Sequence, residues 1–107
     1  MNSKEIEKIR MELMHNEKLR EKWNDKGSNE RLLYEEMNLR SMIMSCLCYG
    51  NNIYSSKYTL KFKDILGEDR FLKVCKEQKE YFDTKCKVVE NVHTDFEGVT
   101  YNSIIEE

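Results

Sequence analysis

The sequence predicts a small α+β domain of about four helices followed by a C-terminal antiparallel β-hairpin. Two observations carry that reading. Apolar residues recur every three or four positions as far as about residue 84, and from Cys86 onward they recur every second position. A chain of 107 residues has room for one core and buries roughly 60 to 70% of the surface its unfolded form exposes, so residues 1–107 are expected to form a single domain.

The elements follow in order. Ser3 can cap a first helix over about 3–25, with Ile6, Ile9, Leu13, Leu19 and Trp23 at intervals of three, four and six, and Gly27 marks its break. Ser28 or Asn29 caps a second helix over about 29–49. Its apolar residues become nearly continuous toward Leu47, as in a helix buried on all sides, so Met42, Ile43 and Leu47 are expected in the core. Gly50-Asn51-Asn52 reads as a turn. Residues 56–66 are open to two readings: Tyr58, Leu60 and Phe62 alternate like a strand, whereas Tyr58, Phe62, Ile65 and Leu66 fit a helix capped by Ser55 or Ser56. The helix is preferred, because Gly67 stands where a C-terminal cap belongs. A further helix over about 69–84 begins beside Glu68 and Asp69 and carries Phe71, Val74, Cys75, Gln78 and Phe82 on one stripe. The hairpin spans about 86–105, with Thr94-Asp95-Phe96-Glu97-Gly98 as its loop.

Charged residues make up 36% of the chain and hydrophobic ones 39%, a balance that favours solubility and still fills a core. No stretch approaches the ~20 apolar residues of a membrane span, and Met1–Arg10 is charged instead of leading into an apolar signal core. A cytoplasmic location is expected, with no membrane partner and with the four cysteines reduced, as small buried hydrophobes. The net charge of −2 is unevenly spread. Residues 57–87 hold nine basic and six acidic side chains; residues 88–107 hold five acidic and no basic ones.

No catalytic, cofactor or metal site is expected. Cys46, Cys48, Cys75, Cys86 and His93 are suitable metal ligands. Cys46 and Cys48, however, lie two apart on a helix and point roughly 200° from each other. His15 and His93 sit in no recognisable nucleophile, base and orienting-acid arrangement, and the sequence has no glycine-rich phosphate loop. Glu90, Asp95 and Glu97 could form a carboxylate pair, but carboxylates at a hairpin tip are usually just solvated.

Two binding readings remain. The order helix, helix, turn, helix, hairpin from residue 28 is that of a winged helix-turn-helix. In that arrangement Lys73, Lys76, Lys79, Lys85 and Lys87, with Lys57, Lys61 and Lys63 just ahead, could meet DNA phosphates, or they could be an ordinary solvated face. Glu68, Asp69 and the acidic hairpin have the wrong sign for DNA. The mirror-image reading makes Glu90, Asp95, Glu97, Glu106 and Glu107 the attractive feature, directed at a basic groove, with Phe96 either an anchor in the partner or folded back onto the core.

The run Ile65-Leu66-Gly67-Glu68-Asp69-Arg70-Phe71, then Gln78, Tyr81-Phe82 and Val92 through Ile104, resembles small uncharacterised proteins from phages and mobile elements of low-GC Gram-positive bacteria, over the C-terminal half of the chain. What the resemblance implies is a small accessory protein that binds and inhibits host machinery, as anti-CRISPR proteins do. The expectation is therefore a phage-derived inhibitor acting in the bacterial cytoplasm. It would occupy a host protein or ribonucleoprotein with a basic groove through Glu90, Asp95, Phe96 and Glu97. A winged-helix-like DNA-binding regulator is the alternative.

Overall fold

Helix α1 (Ser3–Met14), α2 (Glu17–Glu21), α3 (Asn29–Cys48), α4 (Lys57–Leu66) and α5 (Glu68–Lys85) precede strands β1 (Cys86–Thr94) and β2 (Thr100–Glu106) in the chain, an α+β arrangement. The structure is a computed structural model that describes residues 1–21, 23–25 and 27–106. Among those residues no helix is long and apolar enough to cross a membrane.

The expected first helix is two helices. Leu13 and Leu19 are six residues apart, so on one straight helix they would point about 240° from each other. Both nevertheless pack in one cluster with Tyr34 and Met37 of α3, and a break between them is what allows it. Asn16 makes the break: its side-chain oxygen accepts from the Lys18 N–H (2.8 Å) and its carbonyl from the Arg20 N–H (3.2 Å), the local competition with helix continuation for which asparagine is suited. The cap of α1 is Asn2, whose Oδ1 accepts from the Glu5 N–H at 2.8 Å, and not Ser3. Trp23 lies beyond α2 and is exposed, with the Arg31 guanidinium 4.2 Å from its ring centroid.

Helix α3 is the centre of the fold because its apolar residues point three ways. Leu39, Ile43 and Cys46 pack with Ile53, Phe62 and Phe71; Tyr34 and Met37 meet α1 and α2; Met44 joins Ile6 and Phe82. Ile43 is fully buried, whereas Met42 and Leu47 are only partly buried and flank the cluster. That corrects the expectation that all three are core. Arg40, 8% exposed, crosses this interior and donates to Glu77 (2.7 Å) and Gln78 (3.3 Å). The fully buried Gln78 in turn donates to the Met1 carbonyl (2.7 Å). A buried charge is tolerable only with such partners.

The end of α3 is a Schellman turn. Gly50, at φ +75°, donates to the Leu47 carbonyl, and Asn51 donates to the Cys46 carbonyl. Residues 57–66 are helical, capped by Ser56, whose Oγ accepts from the Tyr58 N–H (3.2 Å). The strand-like alternation is a coincidence of spacing, since Phe62 is buried while Tyr58 and Leu60 are exposed. Gly67, at φ +83°, both closes α4 and opens α5: its N–H reaches the Lys63 carbonyl and its own carbonyl accepts from Phe71. The stripe of Phe71, Val74, Cys75, Gln78 and Phe82 on α5 is buried, as its spacing predicts.

Strands β1 and β2 pair antiparallel, with Cys86 opposite Glu106, Val88 opposite Ile104 and His93 opposite Tyr101. The register shifts between Val89 and His93, a bulge of the kind that twists and bends a hairpin.

Candidate functional site

The hairpin tip is built around Asp95. Its Oδ1 accepts from the N–H groups of Glu97 (2.9 Å) and Val99 (3.0 Å), and its Oδ2 accepts from the Tyr49 hydroxyl (3.0 Å). Backbone bonds from Asp95 to Val99 and from Gly98 to Asp95 close the same loop. This is an Asx-type turn: the carboxylate substitutes for a backbone acceptor. The Val99 N–H first, with help from Tyr49 and the Glu97 and Gly98 amides, holds the Asp95 carboxyl below the usual carboxylate range. Burial, followed by the bond to Asp95, pushes the Tyr49 phenol up. Tyr49 also packs against Tyr101 (ring centroids 5.1 Å), Tyr101 stacks on His93 (5.2 Å), and His93 hydrogen-bonds Ser103. These contacts fix the distal half of the hairpin to the end of α3.

Phe96 stands at the apex of this braced loop and is 97% exposed. Of the two readings open for it in the sequence, the structure has the outward one. Glu97 beside it is exposed. Asp95, Phe96 and Glu97 thus come together, but with different tasks: Asp95 shapes the loop, while Phe96 and Glu97 are displayed by it. Glu90 is exposed on β1 within the bulged stretch and does not line the cleft beside the tip. Glu106 is not displayed: it accepts from the Ser3 N–H (3.1 Å) and hydroxyl (2.9 Å) and from Tyr81 (3.3 Å), tying β2 to the start of α1. Glu107 lies outside the described residues.

A cleft of about 480 Å³ lies behind the tip, between the loop and the ends of α3 and α4, with Tyr49, Tyr58 and Asp95 in its walls. A second cleft, of about 660 Å³, lies between α1, α3 and α4, with Arg10, Arg31 and Lys61 in its walls. Neither cleft was legible from the sequence, since each is formed by residues far apart in the chain. The signal available was the polar stripe Arg31, Glu35, Asn38, Ser45 along α3 at helical spacing.

The lysines of the alternative reading are spread along α5 and into the hairpin. Lys73, Lys76, Lys85 and Lys87 are exposed. Lys79 is engaged with Asp83, 2.6 Å and 2.8 Å from its two oxygens. Glu68 and Asp69 occupy the first turn of α5, the helix end that would approach DNA.

The cysteines are free thiols, two of them buried: Cys46 and Cys75 lie in the central cluster. Burial pushes the Cys75 thiol up to about 11. Cys48 faces another way, its thiol raised by burial and by the neighbouring Cys86 and Glu106. Cys46 and Cys48 therefore diverge as their helical spacing requires. Among the described residues no three of His, Cys, Asp and Glu converge as metal ligands would.

No protein family, curated protein or solved structure matches this chain.

Proposed function

We propose that the chain is a binding protein that inhibits a host macromolecule, in the manner of a phage-encoded anti-defence factor such as an anti-CRISPR, by seating its hairpin tip in a basic groove of a protein or ribonucleoprotein. Phe96 carries the proposal. A phenylalanine exposed to 97% forgoes burial worth roughly 1.5 to 3 kcal/mol, and the loop that holds it out is braced by five hydrogen bonds to or from Asp95. A partner pocket recovers that burial at low entropic cost, because the loop is already ordered. Glu97 and Asp95 flank the ring with negative charge, which steers the tip toward cations. The resemblance of the C-terminal half to mobile-element proteins supports the choice of a host target.

The test is capture from a lysate of a low-GC Gram-positive host with the immobilised chain and, in parallel, its Phe96→Ala and Glu97→Lys variants. The expected outcome is a stoichiometric protein partner. Phe96→Ala should raise its off-rate, at a cost of about 1 to 4 kcal/mol, and Glu97→Lys should slow its on-rate. Recovery of nucleic acid alone would refute the proposal.

The competing reading is a winged-helix-like DNA regulator, which draws on the order α3, α4, α5, hairpin and on the exposure of Lys73 and Lys76. In that case Glu97→Lys strengthens duplex binding, and log affinity falls with log salt at a slope of roughly −4 to −5 for four to six phosphate contacts. Absence of duplex binding at about 50 mM salt removes it.

A further inference from the structure

The two clefts adjoin along α3, end to end, as a groove. Both are lined by Met42 and Ser45, and the residues on their floor, Arg31, Glu35, Asn38, Met42 and Ser45 of α3 with Tyr49 at its C-cap, follow one another at intervals of three and four, a single stripe. Tyr58, Lys61 and Ile65 form a matching stripe on α4 along the opposite wall. From Arg31 to Tyr49 the stripe runs about 27 Å at the helical rise of about 1.5 Å per residue.

The charges of the groove have opposite sign at its two ends. At the α1 end stand Arg10, Arg31 and Lys61. Glu35 pairs with Arg31 at 3.0 Å and Glu7 meets Arg10 at 3.0 Å. Lys61 is exposed, its ammonium 5.2 Å from the Phe62 ring centroid, and it forms no ion pair among the described residues. At the other end stand Asp95 and Glu97 beside Phe96. Between the ends lie Asn38, Ser41 and Ser45, amide and hydroxyl groups that both donate and accept. Such a floor suits an extended chain, whose backbone N–H and C=O groups need partners, better than a helix, which satisfies its own.

We propose that this groove binds one extended segment of a partner protein, about eight residues long at about 3.3 Å per residue, with acidic side chains over Lys61 and Arg10 and basic side chains over Glu97 and Asp95. The proposal rests on the function argued above, in that the segment would belong to the protein that the hairpin tip engages. It adds a second contact, of opposite sign, at the α1 end of the groove. A nucleic acid fits poorly, since its uniform negative charge meets Asp95 and Glu97 at one end.

The test needs no host partner, so its failure is distinct from failure of the capture experiment. Three fluorescent peptides of about ten residues are titrated into the full chain. One has glutamates at one end and arginines at the other, one is acidic throughout, and one is basic throughout. The native chain should prefer the mixed peptide, and amide shifts should map to Ser41, Ser45 and the 95–99 loop. Glu97→Lys should transfer the preference to the acidic peptide and Lys61→Glu to the basic one. Each change should be about two- to fivefold, the size expected for exposed ion pairs. Both residues are exposed, so melting temperatures should not move, and a change in preference will not reflect misfolding. A preference that neither reversal alters, shifts that map to Lys73 and Lys76 on α5, or tighter binding of a single-stranded oligonucleotide than of the mixed peptide would each overturn the proposal.

Discussion

Truncating Ile43 and Leu47 separately measures which way α3 faces. Both side chains lose three carbon atoms on replacement by alanine, but Ile43 is 0% exposed within the central cluster while Leu47 lies partly buried at its margin. Three methylene equivalents at about 0.8 kcal/mol each give about 2.4 kcal/mol for Ile43→Ala, and the cavity left against Phe62 and Phe71 brings this to about 3 to 4 kcal/mol. Leu47 forfeits only the buried part of its side chain and can relax toward solvent, so Leu47→Ala should cost about 1 to 1.5 kcal/mol. For a chain of this length 1 kcal/mol moves the melting temperature by about 4 to 5 °C, hence about 13 to 18 °C for Ile43→Ala and 4 to 7 °C for Leu47→Ala. Thermal and urea unfolding followed by circular dichroism read both. Equal losses, or a larger loss at Leu47, would mean that α3 is rotated from the orientation described, and the polar stripe on the groove floor would then be misplaced as well.

Three further outcomes are expected. Asp95→Ala should speed amide hydrogen exchange at Glu97 and Val99, whose N–H groups it accepts, whereas Asp95→Asn, which keeps an oxygen acceptor, should not; exchange in the alanine variant as slow as in the native chain would refute the Asx turn. Asp95 and Glu77 both have carboxyl groups held below their ordinary values, by the Val99 N–H and by the hydrogen bond from Arg40 respectively. Their contribution to stability is therefore complete above the unfolded values near 4 and is lost as pH falls through the lower folded values. Melting scans should show a fall below about pH 4 that is shallower in Asp95→Asn, and an unchanged acid limb would count against the assignment. Gly67→Ala should cost about 1 to 2 kcal/mol, because φ +83° strains an L-residue even though the added Cβ meets nothing within 4 Å; a neutral result in urea unfolding would show that the α4–α5 junction adapts.

Local signals in the sequence located most of the elements, and the failures have identifiable causes. Ser28, Ser56, Gly50 and Gly67 act at the helix ends because capping depends on a few adjacent residues. The α1–α2 break lies in the six-residue interval from Leu13 to Leu19, which no continuous helix accommodates on one face and which a broad apolar stripe conceals. Ile53 is interior for a tertiary reason, its packing in the central cluster with Phe62 and Phe71, and Thr59 is buried beside it with its hydroxyl donating to the Ile53 carbonyl (2.7 Å) across the turn before α4. The groove is likewise invisible in one dimension, since Arg10 and Lys61 at one end and Glu97 at the other line it only after α1, α4 and the hairpin are placed around α3.

Charge counting was the least reliable guide, and the reason bears on function. The last twenty residues carry five carboxylates and no cation, which suggests a broad acidic surface. Two of the five have internal work instead: Asp95 replaces a backbone acceptor in the loop, and Glu106 joins β2 to Ser3 and Tyr81. A carboxylate committed to short internal hydrogen bonds still contributes its field, but reversing its sign would dismantle the structure that presents Phe96. Glu97 is exposed, adjacent to that ring, and uses only its backbone N–H to hold the loop. Reversal of Glu97 is therefore the substitution that reports the sign of the partner's charge without also changing the shape of the tip, and a weakened or strengthened complex in that one variant separates a basic protein groove from a phosphate backbone.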